Sequence, residues 1–589
     1  MPDVLELGEF RVDVTGRSVS RRGELVALPP KAVETLILLA ENPGKTLRKE
    51  ELLETVWAGT FVEEGSLTQT ISVLRKALGA ESIRTIPKRG YCYVGPVGLV
   101  RKRSRARPIA ITVLVVATIA AWIAIVRPKT PAPARLARLV VLPVENLSGN
   151  AQHDYVSDGL TEELIAQLST LDAGRLAVIA RTSAMKYKGT RKSIGEIARE
   201  LDADYVLESS LRWSGNQLRI TAQLIRTEDQ THVWAGRYDR TAQDMLSMED
   251  EVAQAIALQI DSRLPGRPKS RSPEPAAYLP YLEGRYYWNK RTRESIAQAI
   301  VLLRRAIALD PRFARAHSAL ADCYMSQGLL GAGRPGELFA AAKDEARKAL
   351  ALDPNLAEAH TSLAYLKFWD EWNWTAAEAE FRTAITLNPD YATAHQWYAE
   401  YLRLMGRFDE SIRESTKALD LDPLSLVINM EAGLPYYFRH QYDQAGEHFR
   451  KAIALDPNFA LAYVELGWVY EDSGRLPLAI TTLQKAAQLD NTTPVMTALT
   501  NAYAAAGQNA EARQILQTLE ARAVSPFLLS TVYLRLGDKE KALASLERAY
   551  EEHDWALIWA NVSPRFDSIR SDPRFQSVLS RMKFPPRRS

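Results

Sequence analysis

Eighteen consecutive residues, Ile109 to Val126, carry no charge: IAITVLVVATIAAWIAIV. Wound as an α-helix, this run would span about 27 Å at roughly 1.5 Å per residue, close to the hydrocarbon thickness of a bilayer. Arg101, Lys102, Arg103, Arg105 and Arg107 precede it as a basic juxtamembrane segment, and Arg127 and Lys129 follow it among Pro128, Pro131 and Pro133. The positive-inside rule then predicts a single-pass transmembrane helix over 108–126, in an inner (cytoplasmic) membrane. Residues before it would be cytoplasmic and everything beyond residue 130 exported. The competing reading is a buried helix of a soluble core, although globular helices rarely run this far without a polar residue. The N-terminal MPDVLELGEF has no apolar run behind a basic start, so no cleavable signal peptide is expected and 108–126 would serve as the anchor.

A chain of 589 residues is too long for one core, so three or more domains are expected. Its two cysteines, Cys92 and Cys323, fall on either side of the apolar run, which excludes a disulfide framework on that topology. The net charge of +3 says little over the whole chain, and residues 1–100 balance thirteen basic against thirteen acidic side chains. Charge therefore has to be read locally.

Over 1–100 the pattern is short strands, then helices, then a hairpin. Pro29-Pro30 introduces Val33, Leu36, Ile37, Leu39 and Ala40 at helical spacing, and Pro43-Gly44 ends that helix. A second helix carries Leu52, Leu53, Val56 and Trp57. In a third, Leu67, Ile71, Leu74 and Leu78 form one buried stripe, and the opposite face shows Gln69, Ser72, Val73 and Lys76. Gly79 closes it. Two β-branched segments near Ile83–Ile86 and Tyr91–Val94 are joined by Pro87-Lys88-Arg89-Gly90, a turn with two cations at its tip.

Helix, loop and wing in this order resemble the OmpR/PhoB-type winged-helix family of bacterial regulators, in its membrane-anchored CadC/ToxR-like branch. The matching residues are Val62-Glu63-Glu64, Ser66 through Gly79, and Ile83-Arg84-Thr85-Ile86-Pro87-Lys88-Arg89-Gly90-Tyr91. The resemblance implies that the third helix enters the major groove of double-stranded DNA while the wing reaches the neighbouring minor groove or its backbone. It implies base-edge contacts for Gln69, Ser72 and Val73, and phosphate or wing contacts for Ser66, Arg75, Lys76, Thr85, Lys88 and Arg89. Gln suits adenine and Val a thymine methyl, so an A·T-leaning site is expected. Val73 stands where the family commonly has a basic residue, which argues against guanine readout there.

After a Pro-rich linker (127–136), residues 137–262 read as a mixed sheet with helices. Arg138 to Pro143 and Leu176 to Ile179 are buried strands, and Asp158–Leu171 and Ser193–Leu201 are helices. Three strands then follow, the first two joined at Ser214-Gly215-Asn216. Leu142 to Gly149, Ser157 to Leu164 and Ile179 to Ser183 resemble a TolB amino-terminal-like domain. Asp158, Glu162 and Glu163 are read as charges of a helix's first turn, suited to its dipole, rather than as a carboxylate site.

A linker (263–275) leads to a repeat near 34 residues over 276–580, with a basic tail at 581–589. Asp310-Pro311, Asp353-Pro354, Asn388-Pro389, Asp422-Pro423 and Asp456-Pro457 punctuate it, and Asp490 keeps the phase. Small residues recur at Ala321, Ala364, Ala399, Gly433 and Gly467, and again at Ala306, Ala349, Ala384, Ala418, Ala452 and Ala486. The pattern resembles about eight tetratricopeptide repeats, whose groove commonly holds a protein or peptide partner.

Gly331, Gly333 and Gly336 fit a G-x-G-x-x-G spacing, but no strand precedes them and a proline interrupts them. Gly44-Lys45-Thr46 lacks the first glycine of a phosphate loop. His317, His360 and His395 recur one per repeat, too far apart to share a metal, so they are read as packing residues. No metal, cofactor or catalytic constellation is expected, and no enzyme. The fold class expected is multidomain: an N-terminal winged helix-turn-helix, a single transmembrane helix, a small α/β domain and an all-α tetratricopeptide solenoid. The function expected is a membrane-anchored one-component transcription regulator whose cytoplasmic winged helix binds promoter DNA and whose exported α/β and repeat region senses or binds a protein or peptide partner; the sequence leaves open whether two copies pair as a homodimer on DNA. The rival is an envelope scaffold whose repeats recruit partners and whose winged helix does not read DNA.

Overall fold

Two self-contained units divide the chain, Met1–Pro131 and Ala132–Ser589. A computed structural model describes residues 4–14, 16–57, 62, 64–87, 89–99, 136–170, 176–215, 217–241, 244–260, 271–329, 334–522 and 524–585.

The first unit opens on β1 (Val4–Leu7), β2 (Phe10–Asp13), β3 (Ser18–Arg21) and β4 (Glu24–Leu25). It continues with α1 (Pro30–Glu41), β5 (Leu47–Arg48), α2 (Lys49–Val56) and α3 (Glu64–Leu78), and ends on β6 (Ile83–Ile86), β7 (Gly90–Tyr93) and β8 (Gly98–Leu99). The first four strands form an antiparallel meander, β8 pairs with β1, and a second small sheet runs β5-β7-β6. Alternation in the meander turns Leu5, Leu7, Val12 and Val19 inward, where they meet Leu36 and Leu39 of α1, Leu52 of α2, and Leu67, Ile71 and Leu74 of α3. Proline at the start of α1 supplies a preset φ and withholds only an N–H that no helix turn would use.

The transmembrane helix in the expected fold class, and the inner-membrane location drawn from it, are corrected here. Among the described residues no helix is long and apolar enough to cross a membrane. The longest described helix, Pro335–Leu352, has 18 residues but carries Glu337, Lys343, Asp344, Glu345, Arg347 and Lys348, so it is an amphipathic helix with one buried stripe. The expected span at 108–126 lies outside the described residues. Cys92 and Cys323 are both buried and free.

The second unit begins with β9 (Ala137–Val141), β10 (Glu145–Asn146), α4 (Asp154–Ser169), β11 (Leu176–Val178), α5 (Arg181–Met185) and α6 (Ile194–Leu201). The long strands β12 (Tyr205–Ser214), β13 (Gln217–Arg226) and β14 (Thr231–Thr241) and the helix α7 (Met245–Ile260) complete this module. The sheet order is β11-β9-β12-β13-β14, with β11, β9 and β12 parallel and the last two strands antiparallel. Ser193 and Glu196 close a reciprocal capping box at the start of α6.

From residue 275 to 551 the chain forms eight antiparallel helix pairs, from Pro275–Asn289 with Arg293–Leu309 to Pro526–Arg535 with Lys539–Glu551. Close approach within a pair needs small residues. A Cβ on Gly467 would lie 2.5 Å from Leu483 Cγ, and one on Gly433 would lie 2.7 Å from Phe449 Cε1. The punctuating residue ends each second helix, its N–H bonding back to Ala306, Ala349, Ala384, Ala418, Ala452 or Ala486. One recurring hydrogen bond then holds each turn to the next helix. His317, His360, His395, Asn429 and Tyr463 each reach the carbonyl of the turn proline six residues earlier, at 2.8–3.2 Å. The three histidines also meet Glu345, Glu380 and Glu414 at 2.5–2.6 Å. With an acceptor at each ring nitrogen they act as pins within a repeat.

The α/β module is built into this array. Ser183 donates its N–H and O–H to the Asp422 carboxylate at 2.9 and 2.5 Å, and Ala180 N–H bonds to Leu421 O at 2.7 Å. At the other end the chain folds back on itself. Asn561 donates to Leu404 O (2.8 Å), Trp374 Nε1 to Met582 O (2.8 Å), and Trp555 stacks on Trp369. Residues 553–584 thereby cover the side lined by the first helices of the third to sixth pairs.

Two outcomes follow from this packing. Gly467→Val should destabilise the full chain by roughly 1–3 kcal/mol, because Leu483 has no room to retreat, and denaturant unfolding measures it. For His360, burial opposes the charged ring, but Glu380 and the Pro354 carbonyl outweigh burial and raise its pKa. Its contribution is therefore full below the ordinary histidine value and is lost as pH rises through the raised one. The melting-temperature deficit of His360→Gln should be larger at pH 6 than at pH 8.5.

Candidate nucleic-acid interface

The interface is built on α3 and the β6–β7 hairpin. Leu67, Ile71 and Leu74 are fully buried, so the 100° step turns Gln69, Ser72 and Lys76 to solvent. Ser66 is half-buried near the start of the helix. Val73 is also half-buried and packs against the core, so it offers less surface outward than its helical position alone suggests.

Arg75 does something that its place in the sequence does not announce. Its Nε donates to Ile83 O at 2.8 Å and its Nη2 to Thr85 Oγ1 at 2.7 Å, so α3 is tied directly to β6. Of the residues expected at phosphate, Arg75 and Thr85 are thus brought together and bonded to each other. Lys76 and Arg89 remain exposed, and so does Arg84 on β6. Lys88 lies outside the described residues.

Charge is sorted across the unit. Arg21 and Arg22 are held by Glu9, whose carboxyl their hydrogen bonds keep below its ordinary pKa, and Arg17 and Lys31 are held by Glu34. Among the described residues no acidic partner meets Lys76, Arg84 or Arg89. The cations left unneutralised include those on the helix and hairpin, where a polyanion would find them.

The hairpin needs one glycine. Gly90 has φ +152°, and a Cβ there would lie 1.9 Å from Leu47 O in the neighbouring strand β5. Only a residue without a side chain lets β7 pass β5 and β6 at once.

Other expected sites resolve into structure. Gly44 occupies a positive-φ turn between α1 and β5. Gly331 and Gly333 lie outside the described residues, and Gly336 sits in the first turn of a helix. Among the described residues no group of His, Cys, Asp or Glu is arranged to hold a metal. Helix α4 starts at Asp154, so Glu162 and Glu163 lie well past its first turn and the dipole account of them is corrected. Glu162 accepts from Arg285 and Asn289, Glu163 from Tyr281 (2.8 Å) and Arg315, and Asp158 pairs with Lys188 at 2.6 Å. The first two carboxylates therefore fasten the α/β module to the first repeats.

Residues 23–93 match the family described as transcriptional regulatory protein, C terminal, and 136–256 match the second domain of HilA/YgeH-like transcriptional regulators. That second match stands where the sequence suggested a TolB amino-terminal-like domain, a likeness the comparisons do not return. Tetratricopeptide repeat families match 368–425, 433–474, 460–493 and 527–552. Among curated relatives, a putative adenylate cyclase 3 of Rhizobium meliloti (strain 1021) is 37% identical over 198 residues, 33% of either chain. The transcriptional regulator HilA of Salmonella typhi is 25% identical over 337 residues, 55% of this chain and 53% of its own. The transcriptional activator CadC of Escherichia coli K12 is 35% identical over 100 residues, 16% of this chain and 20% of its own. The chain thus spans about half of HilA's length and a third of the cyclase's.

If Arg75 is a strut, Arg75→Ala should cost roughly 1–3 kcal/mol through its two charge-assisted bonds. Gly90→Ala should cost at least as much through the clash with Leu47. Both are read in the full chain by hydrogen exchange of the α3, β6 and β7 amides under rising urea.

Proposed function

We propose that this chain is a transcription regulator of the HilA/CadC type that binds double-stranded DNA through its winged helix. The observation that carries this reading is the set of unpaired cations, Lys76, Arg84 and Arg89, flanking a polar exposed helix face. In this reading α3 lies in the major groove, with Gln69, Ser72 and the exposed edge of Val73 toward base edges. Ser66, Lys76, Thr85, Lys88 and Arg89 face backbone or the adjoining groove. Arg75 acts mainly by setting the distance between helix and wing.

The division of labour proposed is a DNA-binding domain over 1–100, an α/β domain over 137–262 and a repeat array over 276–580. The family matches over 23–93 and 136–256 support a regulator, and the cyclase likeness covers too little of that protein to argue for an enzyme. A protein or peptide partner on the repeats completes the reading. On the side of the first helices such a partner would compete with residues 553–584. Two copies on adjacent half-sites would gain affinity by avidity alone.

Fluorescence anisotropy of the full chain on labelled duplexes tests the proposal. Affinity should fall steeply with salt, and Lys76→Ala and Arg89→Ala should each lower the log–log salt slope by about 1. Gln69→Ala should relax base preference at one position by roughly 1–3 kcal/mol. A salt-insensitive signal, or equal affinity of all three variants and the parent, would remove the winged helix from the account.

A further inference from the structure

Beneath the returning C-terminal segment is a cavity of about 190 Å3, walled by the first helices of the fifth to eighth pairs and by residues 555–565. Six of its sixteen lining residues are aromatic: Tyr437, Phe438, Trp468, Phe527, Trp555 and Trp559. Its polar lining residues are Glu465, Asn501, Thr497, Thr531, Ser563 and Arg565, and the first two each keep one oxygen, Oε2 and Oδ1, without a hydrogen-bond partner among the described residues.

The amide orientation of Asn501 is settled by its neighbour. Thr531 Oγ1 gives its proton to Leu528 O (2.8 Å), so it can only accept from Asn501, whose Nδ2 lies 2.9 Å away. Oδ1 is therefore the free atom, and it is an acceptor. The cavity thus holds one fixed acceptor without a donor, Asn501 Oδ1, and a carboxyl, that of Glu465, whose unpartnered oxygen becomes a second once its proton leaves.

We propose that this cavity binds a small organic cation, a primary ammonium with an aromatic or branched apolar body. The ammonium would donate to Glu465 Oε2 and Asn501 Oδ1, and the body would lie on the tryptophan rings. Ring faces here already attract cations: the Arg565 guanidinium lies 5.2 Å over Trp468, and that of Arg403 lies 5.0 Å over Trp559. An anion would meet a carboxylate, and a neutral apolar molecule would leave both acceptors bare. Nothing in the DNA-binding proposal uses this site.

Charges of both signs surround the site, and Arg565 is one of its lining residues. Glu465 faces Glu431 and Arg403 from neighbouring helices and Arg565 from the C-terminal segment, and Glu400 lies on the helix that carries Arg403. Arg565 is already committed to Glu471 at 2.8 Å. Burial pushes the carboxyls of Glu465 and of its neighbour Glu400 up to about 8 and also raises that of Glu431. Binding would exchange the proton of Glu465 for the ammonium: the O–H bond breaks, the proton leaves to solvent, and a carboxylate–ammonium pair remains.

Isothermal calorimetry of the full chain with 2-phenylethylammonium, in two buffers of different ionisation enthalpy, tests this, with 2-phenylethanol as the neutral counterpart. Expected are one saturable site, net proton release, affinity that rises from pH 6.5 to 8, and at least tenfold preference over the alcohol. Glu465→Gln, which keeps the shape of a protonated carboxyl, should lose at least tenfold. Trp555→Ala alters a wall residue that is 45% exposed, should fold normally, and should also weaken binding. No saturable binding at millimolar ammonium, equal affinity for the alcohol, or unchanged affinity in either folded variant would overturn the proposal.

Discussion

In the proposed reading, with α3 in one groove and the hairpin at the next, the two can act together only if the spacing between them is fixed, and Arg75 ties one to the other. Its guanidinium spans from the last turn of α3 to Ile83 and Thr85 on β6. The bond is made on the helix's final turn, where a cation also suits the dipole. What remains outward is a short polar face and cations that no acidic side chain neutralises. Arg21 and Arg22 have been matched with Glu9, and Arg17 and Lys31 with Glu34. A balanced total charge thus conceals an unbalanced surface.

The second unit answers a different constraint. Paired helices bury one face only if their backbones approach closely, and the turns between pairs must not drift. Glycine and alanine at the crossing points solve the first problem, and the bond from the following helix to the turn proline's carbonyl solves the second. At the turn of Asp422 a further bond is added, from the N–H and O–H of Ser183 to the Asp422 carboxylate, and it joins the α/β module to the array. The buried pairs of Glu162 and Glu163 with Arg285 and Arg315 hold the module at its other end, and removing one partner would leave a buried charge uncompensated.

Much of this was legible in the sequence because it is periodic. The stripe Leu67, Ile71, Leu74 marks α3, the cations before Gly90 mark the wing, and the Asp-Pro steps mark the repeats. What was not legible depends on distance along the chain. Glu162 meets Arg285 and Glu163 meets Arg315 more than a hundred residues away, so their spacing on α4 suggested only a helix dipole. Trp374 meets Met582 in a segment with no repeat signature, so nothing local foretold that the array would be covered by its own end. Arg75 looked like a phosphate contact because a position on a helix does not reveal a bond to a strand ten residues later. Hydropathy alone suggested a membrane-crossing helix at 108–126, whereas among the described residues every helix has a polar face or is too short to cross.

The central claim is that α3 and the hairpin meet DNA as one rigid reader. Hydroxyl-radical and methylation footprinting of the full chain on a selected duplex measures this most directly. The account predicts purine protection in one major-groove segment, with backbone protection continuing into the adjoining minor groove, and loss of the second but not the first in Arg75→Ala. Uniform backbone protection without a major-groove signature, or identical footprints for the parent and Arg75→Ala, would contradict it.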